Sequence, residues 1–252
     1  TRSEDGNLRD GVFTFRTLED TEGMISYAKK AKSAAVIGGG LLGLEAAKGL
    51  MNHVDTVHVI HVMDRLMEAQ LDAPSAEILH DLLSEQNKGR MNFHFEKFTK
   101  SVMATDNGEI TGLEFADGTT VEAEMVVVAA GIRSNTDMAV TAELDVNRGI
   151  VIDDFLTTSD PSIFAIGECA EHRGKTYGLV APGWEQAKAL AKSLASEAKT
   201  AGYTGSKIST KLKVAGVDVA VMGDKDAMND TDEVAVYSEA ASGLYKKLVV
   251  RN

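Results

Sequence analysis

The sequence predicts an α/β chain built on a parallel sheet, and three observations carry that prediction. The segment AAVIGGGLLGLEAAKGL (34–50) is a short apolar strand that runs through three glycines directly into a helix. Two further apolar strands, DTVHVIHVM (55–63) and MNFHF (91–95), bracket a second helix over 73–86. The almost wholly apolar run MVVVAA (125–130) has the composition of a strand covered on both faces. Strand–helix–strand–helix–strand is half of a doubly wound sheet.

Residues 1–10 read as a linker. Thr17 with Asp20 three residues on has the form of an N-cap and an N3 acid, and predicts a short helix to about Lys30. In the helix after the glycines, Leu44, Ala47 and Met51 recur at helical spacing. In the second helix Ile78, Leu79, Leu82 and Leu83 are expected to face inward. The pattern then changes to three short strands, 98–105, 110–115 and 119–121, joined at Asn107-Gly108 and Asp117-Gly118. Those dipeptides suit hairpin turns with positive φ, so an antiparallel meander replaces a helical crossover. Beyond Gly131, strands are expected at 150–152 and 163–166, and an alanine-rich helix at 184–199. Further strands are expected at 212–214, 217–222, 234–237 and 244–250. The last has no turn or capping signal after it, as in a fragment.

With 44% hydrophobic residues and a mean hydropathy of -0.10, the 252-residue chain reads as soluble and globular. No run approaches the roughly 20 apolar residues of a membrane span. The opening TRSEDGNLRDG lacks the apolar centre of a signal peptide, and the cytoplasm is the expected location. A net charge of -12 argues against nucleic acid or an anionic membrane as partner. The single cysteine, Cys169, excludes an intrachain disulfide and a four-cysteine iron–sulfur cluster.

Gly38, Gly40 and Gly43 stand at the G-x-G-x-x-G spacing of a Rossmann-like dinucleotide-binding turn. Gly38 permits the tight turn, Gly40 lets a pyrophosphate approach the main chain, and Gly43 lets the helix pack close to the strand. The helix start at Leu41 and Leu42 then offers unpaired N–H groups to phosphate. The bland alternative is a tight strand–helix turn with no ligand.

At the end of the second strand an NAD site usually carries an acid for the adenine ribose, and an NADP site a cation for the 2′-phosphate. Here that position is His61, which is neither. Arg65 follows four residues on, next to Asp64, which blunts its attraction for phosphate. Lacking a cluster of cations, the segment leans to NADH over NADPH. His58 and His61 point to opposite faces of the strand, which argues against a shared metal. Ala130-Gly131, at the carboxyl edge of the sheet, either lines the dinucleotide or simply turns the chain between domains.

Several longer segments resemble the reductase part of NAD(P)H-dependent assimilatory nitrite reductase large subunits, within the pyridine nucleotide-disulfide oxidoreductase-like FAD/NAD(P) class. They are GVFTFRTLED (11–20), GGGLLGLEAAKGL (38–50), DRLMEAQLD (64–72) and VVVAAGIRSNT (126–136). IFAIGECAEHRGKTYGLVAPGWEQA (163–187), STKLKVAGVDVAVMGD (209–224) and YKKLVV (245–250) complete the set. The resemblance implies an NAD(P)-binding domain over 11–131 and the C-terminal segment of an FAD-binding domain over 132–202. It places the start of a C-terminal α+β region at 203–252. The family's N-terminal FAD-binding segment and its sirohaem and iron–sulfur half are absent from these residues, so the FAD site is incomplete in this chain.

On that resemblance, Glu45, expected in the first helical turn, either orients the nicotinamide or is an acid favoured by the helix end. Gly167-Glu168 contacts the flavin's ribityl chain, or Glu168 caps a helix. The LVAPGW segment, with Val180 and Ala181, precedes a helix whose start faces the flavin ring. Cys169 is expected as a small packed residue and Trp184 as a packing anchor. Lys211, Lys213, Lys246 and Lys247 read as a solvated strand face, or as a docking surface for an electron acceptor. The implied chemistry is hydride transfer from NAD(P)H to FAD, with onward electron transfer to the sirohaem and iron–sulfur half. The alternatives are a rubredoxin- or ferredoxin-type reductase and a non-catalytic dinucleotide-binding module. A half-built FAD domain leaves apolar surface uncovered, so self-association, as a homodimer or larger, is also expected.

Overall fold

The computed structural model describes residues 8–195, 202–214, 216–239 and 242–251, and excludes the side chains of 212–214. The expected linker up to residue 7 and the expected helix end at 196–199 lie outside the described residues. The chain divides into two compact units, Thr1–Gly131 with Ser209–Asn252, and Ile132–Ile208.

The first unit begins with β1 (Val12–Thr14), α1 (Leu18–Ala28), β2 (Ser33–Ile37), α2 (Leu41–Leu50), β3 (Thr56–Ile60), α3 (Ala73–Asn87) and β4 (Met91–His94). The meander β5 (Thr99–Ala104), β6 (Ile110–Phe115) and β7 (Thr120–Glu122) follows, and β8 (Met125–Val128) returns to the sheet. The parallel order is β1-β8-β2-β3-β4. Thr17 caps α1 in a full capping box with Asp20, and Gly108 and Gly118 take the positive φ that the hairpins require.

Three layers result. On one face of the sheet Met24, Leu44, Ala47, Leu50, Leu79 and Leu83 from the helices meet Ala34, Val36, Val57, Val59 and Val127. On the other, Val12, Ala35, Ile60 and Val126 meet Val102, Leu113, Phe115 and Val121 of the meander. The sheet is therefore dry on both sides, which is why β8 is a continuous apolar run. Ile78 and Leu82 are half-buried, at the rim of the inward face of α3.

On the meander face, His58 Nδ1 and His94 Nε2 lie 3.1 Å apart. Burial and then the neighbouring His94 lower the pKa of His58 below 6.5. Burial and then Lys97 do the same to His94. The unfolded chain thus takes up these protons first, so stability should fall as pH drops below 6.5. Melting curves at neutral and mildly acidic pH check this, and a His58→Phe variant should flatten the dependence.

The second unit contains α4 (Asp137–Thr141), β9 (Ile150–Ile152), β10 (Ala170–His172), β11 (Lys175–Thr176) and α5 (Val180–Ala195). Its core gathers Ile152, Leu156, Ala165, Ala170, Tyr177 and Tyr203. Two expectations are corrected here. Residues 163–166 form no strand: Phe164 makes an isolated bridge to Thr157, and Ile163, Phe164 and Ile166 are exposed. An apolar run needs a neighbouring ladder to become a strand, and this one has a single bridge. The helix expected from Trp184 begins at Val180, because Pro182 is well tolerated in a first turn that needs no N–H from it. Trp184 is then 65% exposed and is not a packing anchor.

The chain returns to the first unit with the hairpins β12 (Ser209–Val214) with β13 (Val217–Met222), and β14 (Glu233–Glu239) with β15 (Leu244–Val250). Val217, Val219 and Val221 pack on the helical core. The side-chain alternation expected at Lys213 lies outside the described side chains. Lys247 is corrected from a solvated position: its Nζ donates to Asp72 (2.8 Å), as does the Tyr245 hydroxyl (2.9 Å).

Asp72 is also the N-cap of α3, accepting from the Ser75 N–H. Burial alone would raise its pKa, but the hydrogen bonds from Lys247, Ser75 and Tyr245 outweigh it and hold the carboxyl well below the usual range. One side chain, 13% exposed, thus caps a helix and anchors a distant hairpin. Asp72→Ala should destabilise the unit by about 2 kcal/mol and raise amide exchange in β14 and β15. Exchange confined to α3 would show that the anchor carries no weight.

Candidate functional site

The sheet order creates the site. From β2 the chain runs outward one way to β3 and β4, while β8 lies on the other side of β2. The carboxyl ends of β2 and β8 therefore flank the switch point of the sheet, where doubly wound folds bind their ligands. The glycine turn follows β2 and Ala130-Gly131 follows β8, with Ala129 N–H donating to Ile37 C=O at 2.8 Å. Both expected segments thus reach one crevice.

The three glycines have three different reasons. Gly38 has φ +129, and a Cβ there would overlap the carbonyl oxygen of Ala129. A Cβ on Gly43 would overlap the carbonyl oxygen of Gly38, so helix and strand pack at backbone contact. At Gly40 a Cβ would meet nothing within 4 Å. The open position is the one where a pyrophosphate needs access to the main chain. Gly40 is also the N-cap of α2 and has no side-chain cap, so the first N–H groups of the helix, at Leu41 and Leu42, are offered to an anion. These residues fit a dinucleotide pyrophosphate.

Glu45 is exposed, but in the second turn of α2 and not the first. The helix dipole decays within the first turn, so the helix-end account of this acid loses its basis. Ala130 and Gly131 are exposed, and Gly131 takes φ +94.

His61 is 7% exposed and lies beneath the glycine turn. Its Nδ1 accepts from Gly39 N–H at 3.1 Å, and its Nε2 is 2.9 Å from Glu68 Oε2. Gly38 N–H donates to Ile60 C=O at 2.8 Å, and Met67 N–H donates to Gly39 C=O at 3.0 Å. The turn is therefore held from below by the end of β3 and the loop after it. Arg65 Nη1 donates to Asp64 at 2.9 Å, and its Nε is buried. Sequence reasoning gave no site role to Met67 and Glu68, which lie in an irregular loop within the segment 64–72.

A wide groove at the opposite, N-terminal edge of this sheet is lined by Lys30, Lys32, Glu109, Glu122 and Glu124. It mixes both charges and has no phosphate-binding turn.

In the second unit, Gly167 has φ +84 and opens a 3₁₀ turn, Gly167–Cys169. Its N–H donates at 2.6 Å to Gln186 Oε1, whose side chain is 0% exposed and whose Nε2 is buried with no hydrogen-bond partner. Sequence reasoning missed Gln186 as well. The Ser134 hydroxyl donates to Glu168 C=O at 2.8 Å, and the Glu168 side chain is exposed. Gly183 in the first turns of α5 comes close to Gly167, while Val180 and Ala181 at the start of that helix are exposed. Cys169 is half-buried, its thiol donating to Ile166 C=O at 3.4 Å. An exposed acid, a glycine with open space above it and an exposed helix start fit a flavin contact.

Residues 4–192 match the family model described as pyridine nucleotide-disulphide oxidoreductase. The chain is 48% identical over 246 residues to a nitrite reductase [NAD(P)H] of Bacillus subtilis (strain 168), covering 98% of this chain and 30% of that protein. It is 42% identical over 242 residues to an assimilatory nitrate reductase electron transfer subunit of the same organism, covering 96% of this chain and 30% of that protein. Among solved structures it resembles the ferredoxin reductase for the CYP199A2 system from Rhodopseudomonas palustris, with a TM-score of 0.83 and 26% identity. That match covers 96% of this chain and 59% of the other. The chain thus spans about a third of the length of the curated relatives it matches.

Proposed function

Since this chain belongs to the pyridine nucleotide-disulphide oxidoreductase family, we propose that it is the NAD(P)H- and FAD-binding reductase portion of an assimilatory nitrite reductase. The observation that carries the reading is the glycine turn at the switch point, closed at Gly38 and Gly43 and open at Gly40. Residues 11–131 form the NAD(P)-binding domain. The N–H groups at Gly40 to Gly43 bind the pyrophosphate, Ala130 and Gly131 line its path, and Glu45 orients the nicotinamide. Residues 132–202 belong to the FAD-binding domain, in which Gly167 and Glu168 hold the ribityl chain and Val180 and Ala181 face the ring. Bound FAD supplies hydride acceptance from the reduced nicotinamide and single-electron release to a sirohaem and iron–sulfur partner. No side chain of this chain is required to move a proton in that step; the protein binds, aligns and excludes water. The cytoplasm is the proposed location.

Calorimetric titration of the chain with NADH and NADPH tests the first unit, and heat with at least one of them is expected. No heat with either overturns the reading. For the second unit, the intact reductase should show the visible bands of oxidised flavin, and a colourless holoprotein that still binds NADH would leave only a dinucleotide-binding module.

The side chains of Met138, Val180 and Trp184 are exposed in the second unit. We therefore expect this chain to self-associate through exposed apolar side chains of the second unit, Trp184 among them, and Trp184→Ser to weaken the association. A monodisperse monomer in light scattering at high concentration would refute this.

A further inference from the structure

We propose that the carboxylate of Glu68, held by His61, reads the adenine ribose and sets a preference for NADH over NADPH. The inference rests on the dinucleotide site proposed above. In such a site the acid normally stands at the end of the second strand of the unit. Here that position is His61, whose Nδ1 is taken by the Gly39 N–H. A ring nitrogen that accepts cannot also carry the proton, so in the neutral ring the proton sits on Nε2 and is donated to Glu68 Oε2. The structural contact of His61 with the turn thus fixes its tautomer, and the tautomer fixes Glu68.

Glu68 comes to the end of β3 from seven residues downstream. The backbone beside it is pinned to the glycine turn itself through Met67 N–H and Gly39 C=O, and Met67 is buried in the left-handed region at φ +50. The main chain that carries the carboxylate is therefore fixed to the turn proposed to bind the pyrophosphate. Its side chain is 31% exposed, and Oε1 is not the oxygen that His61 holds. An acceptor at this place can take hydrogen bonds from ribose hydroxyls.

The same charge repels a 2′-phosphate. Arg65, the cation nearest in sequence that would offset it, is ion-paired with Asp64 at 2.9 Å. Asp64, Arg65 and Glu68 together leave one net negative charge beside the strand end, with His61 neutral.

The test is calorimetric binding of NADH, NADPH, 5′-AMP and 2′,5′-ADP to the wild-type chain and to Glu68→Gln and Glu68→Lys. Wild type should bind NADH at least about tenfold tighter than NADPH, as a like-charge contact near the surface implies. Glu68→Gln should bring the two within about threefold, and Glu68→Lys should invert the order. The 5′-AMP and 2′,5′-ADP pair should follow the same pattern, which locates the effect at the 2′ position. A loss of folding would weaken all four ligands together and could not invert a ratio. A wild-type preference for NADPH, or a ratio unchanged in both variants while binding persists, overturns the role of Glu68 alone. No binding of any of the four by wild type removes the dinucleotide site and this inference with it.

Discussion

Replacing Gly40 by valine should lower affinity for NADH by about 100-fold or more and lower the melting temperature by no more than about 4 °C, the cost of valine at an N-cap. The two halves of this expectation have separate structural causes. Gly40 has φ -83 and extended ψ, a conformation open to any residue, and a Cβ there meets no protein atom within 4 Å. The fold therefore loses only the modest preference of an N-cap for glycine over valine. The space that accepts the new side chain is the space in front of the first N–H groups of α2, where the pyrophosphate must lie for those groups to reach it. Calorimetric titration beside a thermal melt reads both effects. Unchanged binding would mean that no phosphate sits on this turn. Lost binding together with a large drop in melting temperature would mean that the open space had been misjudged.

Gly43→Ala should do the reverse at the level of the fold. The new methyl would overlap the carbonyl oxygen of Gly38, which belongs to the turn and cannot rotate away. Relief requires α2 to move off the sheet, and α2 carries Leu44, Ala46, Ala47 and Leu50 into the core. Overpacking against backbone should cost about 3 kcal/mol, or roughly 10 °C in melting temperature for a chain of this size. Gly49 in the same helix is the control. A Cβ there meets nothing within 4 Å, so Gly49→Ala should gain up to about 1 kcal/mol from helix propensity. If both alanines behave alike, the contact at Gly43 carries no strain.

The sheet of the first unit was legible because its determinants are local. Periodicity marks α2 and α3, the Asn-Gly and Asp-Gly dipeptides mark the meander, and MVVV marks a strand covered on both faces. The three-residue β1 escaped, since Val12–Thr14 is too short to show any period and is a strand through its pairing with β8. The run 163–166 failed in the opposite direction: its composition is that of a strand, but strand formation depends on a neighbour, which composition cannot report. Within the site, glycine spacing gave the turn, while its support did not show. The links from Gly39 to His61, from His61 to Glu68 and from Gly39 to Met67 are side-chain and loop contacts with no repeating pattern. Reading His61 as an ill-suited ribose ligand followed from its position along the strand; that its ring packs under the glycine turn is a tertiary contact with no sequence signal.

The bonds from Asp72 to Tyr245 and Lys247 span 173 and 175 residues. During synthesis, α3 leaves the ribosome with Ser75, the local partner of its cap, already present but Tyr245 and Lys247 still untranslated. The whole of Ile132–Ile208 must be made before they arrive. The first unit can therefore assemble its sheet early and acquire its final covering late, and the intervening residues sit as an insert within a closed loop. A rearranged chain that joins Gly131 to the hairpins through a linker and carries Ile132–Ile208 after them would shorten that delay, and its refolding should be correspondingly faster.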